Sequence, residues 1–246
     1  MDIILYNIII GFCALLIGYF LGSIPTGVII GKAFYHQDPR LLGSKNSGGT
    51  NVGRLFGKKA GLIVIVLDMI KTVASLIIVW SIIKFSNISS LFLEKLGQPM
   101  WENGIPFIYL APIGAMIGHC FPIFAGFKGG KAVATIAGFV LATSWFVTVI
   151  AVFVFFVVLK LKKYVSLSSI LGVSFAVVAA WVLAIINLCA PMSFANFGLY
   201  GSGSFIQGGI WYALTVTIGA VLLIVRHTPN IKRLAAHAES KIKWMS

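Results

Sequence analysis

The chain has 246 residues, of which 59% are hydrophobic and only 10% are charged, and its mean hydropathy is +1.00. Soluble domains carry about 25% charged and about 45–50% apolar residues, so this composition indicates a polytopic membrane protein and excludes a disordered chain, a coiled coil and a disulfide scaffold. Basic residues exceed acidic residues by 19 to 6, a net charge of +13. We expect this excess to face an anionic bilayer or anionic substrates, and not nucleic acid.

The first membrane helix is predicted at the N-terminus. Residues 1–31 lack a basic leading region and contain an apolar run longer than the roughly 7–15 residues of a signal peptide. A span needs about 20 apolar residues, or fewer where protein shelters a short helix. The clear candidate spans are residues 3–30, 60–83, 105–121, 165–186 and 210–225.

The stretch 132–159 admits two interpretations, either one long helix or two short helices broken near residues 142–144. Sixteen of the 19 basic residues fall in four groups, within 32–59, 128–131, 160–163 and 226–243. All four groups can be cytoplasmic only if 132–159 crosses the membrane twice. The sequence therefore predicts an all-α integral membrane protein of one domain, residues 1–246, with seven spans, two of them short, N-terminus outside and C-terminus inside. Six spans is the alternative.

Glycines four residues apart indicate helices that approach each other closely, because the missing side chain lets two backbones meet. This spacing occurs at Gly18 and Gly22, at Gly27 and Gly31, and at Gly114 and Gly118. In a chain with 26 glycines such pairs also arise by chance.

The first polar segment at the predicted cytoplasmic side is 43–54, with the sequence GSKNSGGTNVGR. Its glycines let backbone amides approach a ligand, its hydroxyl and amide side chains offer neutral hydrogen bonds, and an arginine can hold a phosphate through two bonds. A solvated loop that obeys the positive-inside rule is the equal alternative. The candidate site residues here are Ser44, Asn46, Thr50, Asn51 and Arg54.

The second polar segment is 127–135, with the sequence FKGGKAVAT, which runs directly into an apolar helix. Free backbone N–H groups at a helix start, together with two lysines and two glycines, suit an anion. We favour this interpretation over a flexible turn with interfacial lysines. No Walker A motif is present. The candidate site residues are Lys128, Gly129, Gly130, Lys131 and Thr135.

The third polar segment is the tail 226–234, just after the last predicted span. His227 and Asn230 could contact a phosphate or transfer a proton there, although a histidine at a membrane boundary is more often interfacial. Ser166 and Ser169, with Ser168 between them, lie at the inner end of the sixth predicted span and form a weaker candidate, because serines also cap or bond back to a helix. 

Asp68 and Lys71 lie one turn apart inside the second predicted span. Charges within a span are costly and usually pair or face a polar interior. We expect a structural ion pair, with direct participation in chemistry as the alternative.

Several classes of enzyme are excluded by what the polar segments lack. Acidic residues are nearly absent from them, which argues against metal-assisted hydrolysis, a two-carboxylate glycosidase and a CDP-alcohol phosphotransferase. No histidine is followed by aspartate five positions later, which excludes acyltransferases of the HxxxxD class. The three cysteines form neither a CxxC motif nor a cluster with histidine, so we expect no disulfide, no metal and no cofactor.

Together these segments resemble the bacterial acyl-phosphate-dependent glycerol-3-phosphate acyltransferases, small membrane enzymes of phospholipid synthesis. The resemblance extends over most of the chain and is specific because several separate motifs occur in the right order. The matching segments are 22–27 (GSIPTG), 43–54, 57–58 with Asp68 and Lys71, 118–135, 166–169 and 226–233.

The chain departs from this family's usual motifs at four positions. Lys45 and Gly49 replace a glycine and an alanine of the first motif, Ala132 replaces the glycine after Lys-Gly-Gly-Lys, and His237 replaces a glycine before Glu239. The segments 85–104 and 187–209, predicted to lie outside, are also longer than usual. We expect local loop shape and chain-length preference to differ, with the polar site groups retained.

The resemblance implies transfer of a fatty acyl group from acyl phosphate to the 1-hydroxyl of sn-glycerol 3-phosphate, giving lysophosphatidic acid and phosphate. It implies a multi-pass protein of the bacterial inner membrane, with membrane lipid around it, the active site facing the cytoplasm, no cofactor, and a functional link to a soluble enzyme that produces acyl phosphate. The catalytic residues would be Ser44, Arg54, Lys131, His227 and Asn230. The substrate-binding residues would be Asn46, Thr50, Asn51, Lys128, Gly129, Gly130, Thr135, Ser166 and Ser169.

Two questions of mechanism and class stay open at this stage. The hydroxyl proton could pass to a substrate phosphate or to His227, since no carboxylate in the polar segments is an obvious base. The rival class is a transporter or binding protein for glycerol 3-phosphate or another organophosphate. Clustering at one membrane face and the lack of repeated halves argue against it.

Overall fold

The computed structural model describes residues 3–86, 107–189 and 209–242, and in these ranges every regular element is helical. The chain folds as two compact units, Met1–Phe139 and Val140–Ser246, so the single domain remains a prediction. Three short 3-10 turns, Pro39–Leu41, Phe107–Tyr109 and Ile123–Ala125, accompany the α-helices. The α-helices are α1 (Ile3–Gly22), α2 (Thr26–Tyr35), α3 (Gly49–Phe56), α4 (Lys58–Phe85), α5 (Leu110–Cys120), α6 (Val133–Thr143), α7 (Trp145–Lys162), α8 (Val165–Cys189), α9 (Ile210–Arg226) and α10 (Thr228–Ala235).

Four stretches within the described ranges are long and apolar enough to cross a membrane, namely Ile8–Tyr35, Lys58–Ile83, Trp145–Lys162 and Val165–Cys189. The pair α9 and α10, bent by 57°, counts as a fifth if it is one span. Two further apolar helices, Leu110–Ala125 and Val133–Thr143, are shorter. The all-α multi-span class is therefore confirmed, while the count of seven and the orientation remain predictions. The predicted outer segments lie almost wholly outside the described residues.

The predicted break in 132–159 is confirmed at Ser144, which separates α6 from α7. Ser144 has extended backbone angles, φ −148° and ψ 108°, and its Oγ accepts a hydrogen bond from the Val147 N–H at 3.4 Å. A serine in this position caps the new helix. Of these two helices only α6 is short. Helix α7 continues past residue 159, the predicted end of the stretch, to Lys162. Its 18 residues extend about 27 Å at the α-helical rise.

In the first unit, α1 and α5 pack closely through four glycines, as two of the three glycine spacings predict. A methyl group on any of the four would overlap a main-chain oxygen of the other helix, so only glycine fits this contact. The contacts are Gly18 on Ala111, Gly22 on Ala115, Gly114 on Leu15 and Gly118 on Tyr19. At the third spacing, Gly27 and Gly31 lie closest to the main-chain oxygens of Ser47 and Gln37, and next to side chains of α3.

Helix α3 packs on α4 and is held at short range by a second set of glycines. A Cβ on Gly61 would lie 2.7 Å from the Gly53 Cα and 2.8 Å from the Gly49 carbonyl oxygen. Val52, Ala60, Val64 and Ile30 form the buried core between α2, α3 and α4, with Phe56 packed against it. The amphipathic helix α3 thus turns its apolar residues to the core and leaves Arg54 exposed.

In the second unit, α8 packs against both α7 and α9. Small side chains on its buried face allow this close approach; they include Ala176, Ala179, Ala180 and Ala184. Trp181 Nε1 donates a hydrogen bond to Thr217 Oγ1 of α9 at 3.1 Å. The chain after α10 returns to the start of α8, where the Ile242 N–H donates to the Lys163 carbonyl oxygen at 2.9 Å.

Candidate functional site

Asn51, in the first turns of α3, holds the preceding loop in shape. Its side chain is 1% exposed, and its Oδ1 accepts a hydrogen bond from the Ser44 N–H at 2.9 Å. Its Nδ2 donates to carbonyl oxygens of Pro39 at 2.8 Å, Asn46 at 2.9 Å and Leu42 at 3.2 Å. These bonds occupy the amide within its own loop, so a contact of Asn51 with a ligand remains a prediction.

The four other predicted site residues of this segment are less buried than Asn51. Ser44, Thr50 and Arg54 are exposed, and Thr50 and Arg54 lie four apart on one face of α3. Asn46 is half-buried, and its Oδ1 accepts from the Gly48 N–H at 2.8 Å. Its Nδ2 donates to the Gly129 carbonyl oxygen at 3.4 Å, so Asn46 joins the first polar segment to the second.

The residues 128–131, here called the KGGK loop, rest directly on His119 at the end of α5. The Gly130 N–H donates to the His119 carbonyl oxygen at 2.9 Å. A Cβ on Gly130 would overlap the His119 Nε2, and one on Gly129 would lie 2.5 Å from the Pro122 Cδ and overlap the His119 carbonyl oxygen. Both glycines are therefore required for the loop to lie this close to His119. The chain then continues through Lys131 to the start of α6.

The two lysines of the KGGK loop differ in environment, since Lys128 is exposed and Lys131 is half-buried. Thr135 is fully buried in α6, and its Oγ1 donates to the Ala132 carbonyl oxygen at 2.9 Å. That bond is made within the helix start, so the contact of Thr135 with a ligand remains a prediction.

Asp68 is the centre of a buried polar cluster beneath this loop. Its side chain is 2% exposed, and Lys71 Nζ lies 2.7 Å from its Oδ1, which agrees with the expected ion pair. Thr26 Oγ1 donates to the same oxygen at 2.5 Å, and His119 Nδ1 lies 3.5 Å away. Lys71 Nζ also donates to the Gly22 carbonyl oxygen at 3.4 Å. A small cleft beside the cluster is lined by Thr26, Ser47, Lys71 and His119 among others.

His119 and Thr26 were not expected in the site from the sequence. A signal did exist, because a buried carboxylate accepts more hydrogen bonds than one lysine supplies. Both residues also lie within segments that carried the family resemblance, 22–27 and 118–135. What the sequence lacked was the pairing of these segments with the middle of α4.

Glu239 organises the polar residues of the second unit, and sequence reasoning missed it as well. Its Oε1 accepts from Ser166 Oγ at 2.9 Å and from Asn230 Nδ2 at 2.7 Å, and its Oε2 accepts from Arg233 Nε at 2.7 Å. Burial alone would raise the pKa of Glu239, but the bonds from Asn230, Arg233 and Ser166 outweigh it and hold the pKa below its ordinary value. The carboxylate thus stays ionised and ties α10 to the start of α8.

The remaining candidates of this unit bond to the main chain. His227 is 3% exposed, and its Nδ1 lies 2.9 Å from the Leu223 carbonyl oxygen. A proton on Nδ1 would make that bond. Ser169 Oγ donates to the Val165 carbonyl oxygen and Ser168 Oγ to that of Tyr164, both at 2.8 Å. These two serines follow the alternative of bonding back to the helix, whereas Ser166 does not.

A second anchor holds the loop before α3. The Arg40 guanidinium hydrogen-bonds Asp38, which lowers the pKa of that carboxyl, and donates to the Ala125 carbonyl oxygen at 2.7 Å. The turns Pro39–Leu41 and Ile123–Ala125 are thereby joined.

In the described residues, no group of three His, Cys, Asp or Glu side chains lies close enough to hold a metal ion.

The structure thus assembles the predicted residues in two sets. Within Met1–Phe139, the KGGK loop meets the first polar segment through Asn46 and rests on the Asp68 cluster. Within Val140–Ser246, Ser166 and Asn230 meet at Glu239. That both sets serve one ligand remains a prediction.

The sequence is similar to one family and to named members of it. The model of the family described as Glycerol-3-phosphate acyltransferase matches residues 12–237. A glycerol-3-phosphate acyltransferase of Listeria monocytogenes serotype 4a (strain HCC23) is 39% identical over 236 residues, which cover 94% of this chain and 96% of the relative. A protein of the same name from Ureaplasma parvum serovar 3 is 33% identical over 243 residues, covering 96% of this chain and 92% of the relative.

The fold is similar to two crystal structures of PlsY (YgiH), an integral membrane glycerol 3-phosphate acyltransferase. The glycerol 3-phosphate form has a TM-score of 0.69 and 28% identity, covering 94% of this chain and 95% of that chain. The form with lysophosphatidic acid has a TM-score of 0.67 and 27% identity over the same shares.

Proposed function

Because the chain belongs to the glycerol-3-phosphate acyltransferase family, we propose that it transfers a fatty acyl group from acyl phosphate to the 1-hydroxyl of sn-glycerol 3-phosphate. The products would be 1-acyl-sn-glycerol 3-phosphate, which is lysophosphatidic acid, and inorganic phosphate, for phospholipid biosynthesis. The observation that carries the proposal is the family match over residues 12–237, which includes all three polar segments. Acyl phosphate as donor rests on the sequence resemblance and on the cationic, glycine-rich character of the site.

The proposed roles follow from the charge, the exposure and the place in the fold of each group. The KGGK loop, with Lys131 half-buried at a helix start, would hold the acyl phosphate and stabilise the leaving phosphate. Arg54 and Thr50 on one face of α3, with Ser44 before it, would orient glycerol 3-phosphate. Asn51 would be a positioning residue, because its amide is bonded to the loop that carries Ser44.

In the transfer step, the 1-hydroxyl oxygen of glycerol 3-phosphate bonds to the acyl carbonyl carbon, and the bond from that carbon to the phosphate oxygen breaks. The proton passes to a substrate phosphate oxygen or to His227 Nε2. Carboxylates are poor candidates, because the three in the described residues, Asp38, Asp68 and Glu239, each accept from a basic side chain. Since acyl phosphate is already a mixed anhydride, positioning and charge stabilisation would supply most of the rate.

The membrane setting is proposed on the same basis. Seven spans with the N-terminus outside and the C-terminus inside would place all three polar segments at the cytoplasmic face of a bacterial inner membrane. Acyl phosphate would then arrive from a soluble enzyme on that side, and its acyl chain would stay in lipid.

The deciding experiment is an assay of the purified chain in a lipid mesophase with palmitoyl phosphate and labelled glycerol 3-phosphate, with acyl-CoA and acyl carrier protein donors in parallel. We expect lysophosphatidic acid from acyl phosphate alone. Arg54→Ala and Lys131→Ala should each lower kcat/KM at least about 100-fold, as loss of a phosphate clamp or transition-state donor does. Lys59→Ala removes an exposed cation of α4 outside the proposed site and should leave the rate unchanged.

Other outcomes would redirect the proposal. Product from acyl-CoA instead would keep the acyltransferase and reject the acyl phosphate donor. An equal loss of kcat/KM in Lys59→Ala would indicate that any lost positive charge lowers the rate, and not that Arg54 and Lys131 form a specific site. No product from any donor, with a folded protein, would reject the proposed function and favour transport, which uptake into vesicles would detect.

A further inference from the structure

We propose that His119 is a positioning residue that sets the place of the KGGK loop, and that Asp68 orients it. The inference rests on the proposed function, in which that loop holds a phosphate. It assigns a purpose to a buried charged cluster that none of the proposed chemical steps uses.

Asp68 fixes the orientation of the side chains that surround it. A carboxylate inside a membrane helix is costly unless it is paired and hydrogen-bonded. Here one oxygen, Oδ1, faces three groups from three different elements, namely Thr26 at the start of α2, Lys71 on α4 and His119 at the end of α5. The ion pair with Lys71 alone neutralises the charge. Thr26 and His119 are therefore not needed to neutralise Asp68. Their contacts with Asp68 instead fix the orientation of these two side chains.

His119 is also in contact with the KGGK loop. The ring presents Nδ1 to Asp68, and Nε2 on its far side touches Gly130, where a Cβ would overlap it. The His119 carbonyl oxygen accepts from the Gly130 N–H at 2.9 Å. One residue therefore supports the loop through both its ring and its main chain. A rotation of the ring away from Asp68 would remove half of this support.

The position of the loop matters for binding. Backbone amides bind a phosphate well only when they are held in place before it arrives, and a displacement of about 1 Å at a reacting group can cost about 100-fold in rate. Lys131 follows Gly130 directly, so movement of the loop also moves its ammonium group. We therefore expect loss of the ring to weaken binding of the substrate held by the KGGK loop.

The test compares KM for acyl phosphate and KM for glycerol 3-phosphate, measured separately, in His119→Ala, His119→Asn and Lys131→Ala. His119→Ala should raise KM for the same substrate as Lys131→Ala, by about 10- to 100-fold. His119→Asn should recover part of this loss, because the asparagine amide nitrogen can replace Nδ1 opposite Asp68 and so hold the main chain that accepts from Gly130, although no atom replaces Nε2. Equal KM values in His119→Ala and His119→Asn, or an equal rise for both substrates, would overturn the proposal.

Two further variants guard against a simple folding defect. Gly130→Ala pushes the loop away from an intact His119 and should raise the same KM, whereas an unchanged KM would overturn the proposal. Cys120→Ala alters the buried neighbour of His119 on α5 and should leave both KM values unchanged. A rise there equal to that in His119→Ala would indicate that lost packing is sufficient, and would also overturn it.

A measurement without turnover separates this inference from the proposed function. The unfolding temperature of the purified chain is recorded against inorganic phosphate concentration for the wild type, His119→Ala and His119→Asn. Weaker stabilisation by phosphate in His119→Ala, partly restored in His119→Asn, supports the positioning role even if no acyl transfer is found. Identical phosphate dependence in all three proteins rejects it even if acyl transfer is established.

Discussion

Lys45, Ala132 and His237 adopt left-handed backbone conformations, with φ of 53°, 61° and 54°. These are three of the four positions at which the chain departs from the motifs of its family, and at each the family has glycine. A side chain in this region costs about 1–2 kcal/mol, whereas glycine adopts it freely. The three departures therefore carry local backbone strain, while the expected difference in loop shape remains a prediction.

At the residue scale we predict that Lys45→Gly stabilises the protein. Lys45 is exposed, so no packing is lost. The free energy of unfolding should rise by about 0.5–1 kcal/mol, the left-handed strain minus the larger chain entropy of glycine. Lys59→Gly is the matched control, because Lys59 lies in α4, where glycine costs up to about 1 kcal/mol. Thermal unfolding in detergent checks both, and a fall in Lys45→Gly would reject the strain argument.

At the element scale, the contact of α3 with α4 depends on which glycine is changed. A Cβ on Gly61 would lie 2.7 Å from the Gly53 Cα, a distance that real contacts do not reach. A Cβ on Gly53 would be 3.4 Å from its nearest atom, which is ordinary contact. The asymmetry arises because the two Cβ vectors point differently across the same interface.

We therefore predict opposite effects for two alanine substitutions in one contact. Gly61→Ala should lower the free energy of unfolding by about 1–3 kcal/mol through overpacking, and should lower activity because α3 carries Arg54. Gly53→Ala should be neutral or stabilise by up to about 1 kcal/mol through helix propensity. Unfolding temperature and kcat/KM are measured for both. Equal destabilisation in the two variants would contradict the spacing of the helices.

At the scale of the whole molecule, the orientation in the membrane can be tested with a native cysteine. Helix α8 ends at the exposed Cys189 and begins after Lys162 and Lys163, and its 25 residues extend about 37 Å at the helical rise. We predict that Lys162→Cys reacts with an impermeant maleimide only after cells are opened, in a chain whose three native cysteines are replaced. A chain that keeps Cys189 alone should react in intact cells. The reverse pattern would reject the seven-span topology.

The parts of the fold that could be predicted depend on local periodicity and charge. The break at Ser144 and the Asp68–Lys71 pair follow from residues near one another in sequence. The glycine spacings likewise predict close helix approach, but not that α1 meets α5. The contact of His119 with Asp68 and the bond of Glu239 to Ser166 could not be found this way, because these partners are distant in sequence. Ser166 and Glu239, for example, are 73 residues apart. Asn51 was identified as a site residue from its type, but only the structure shows that its amide is bonded to its own loop.

The placement of Lys71 one turn after Asp68 has a consequence for how the protein enters the membrane. An aspartate near the centre of an inserting helix costs about 2.5–3.5 kcal/mol. Helix α4 carries its own counter-ion at 2.7 Å, so its charge is compensated within a single segment before any other helix has arrived. Thr26 and His119 belong to other segments and can join Asp68 only when those segments have packed. We therefore expect α4 to enter the membrane without a counter-ion from another helix, and the Asp68 cluster to be completed only afterwards.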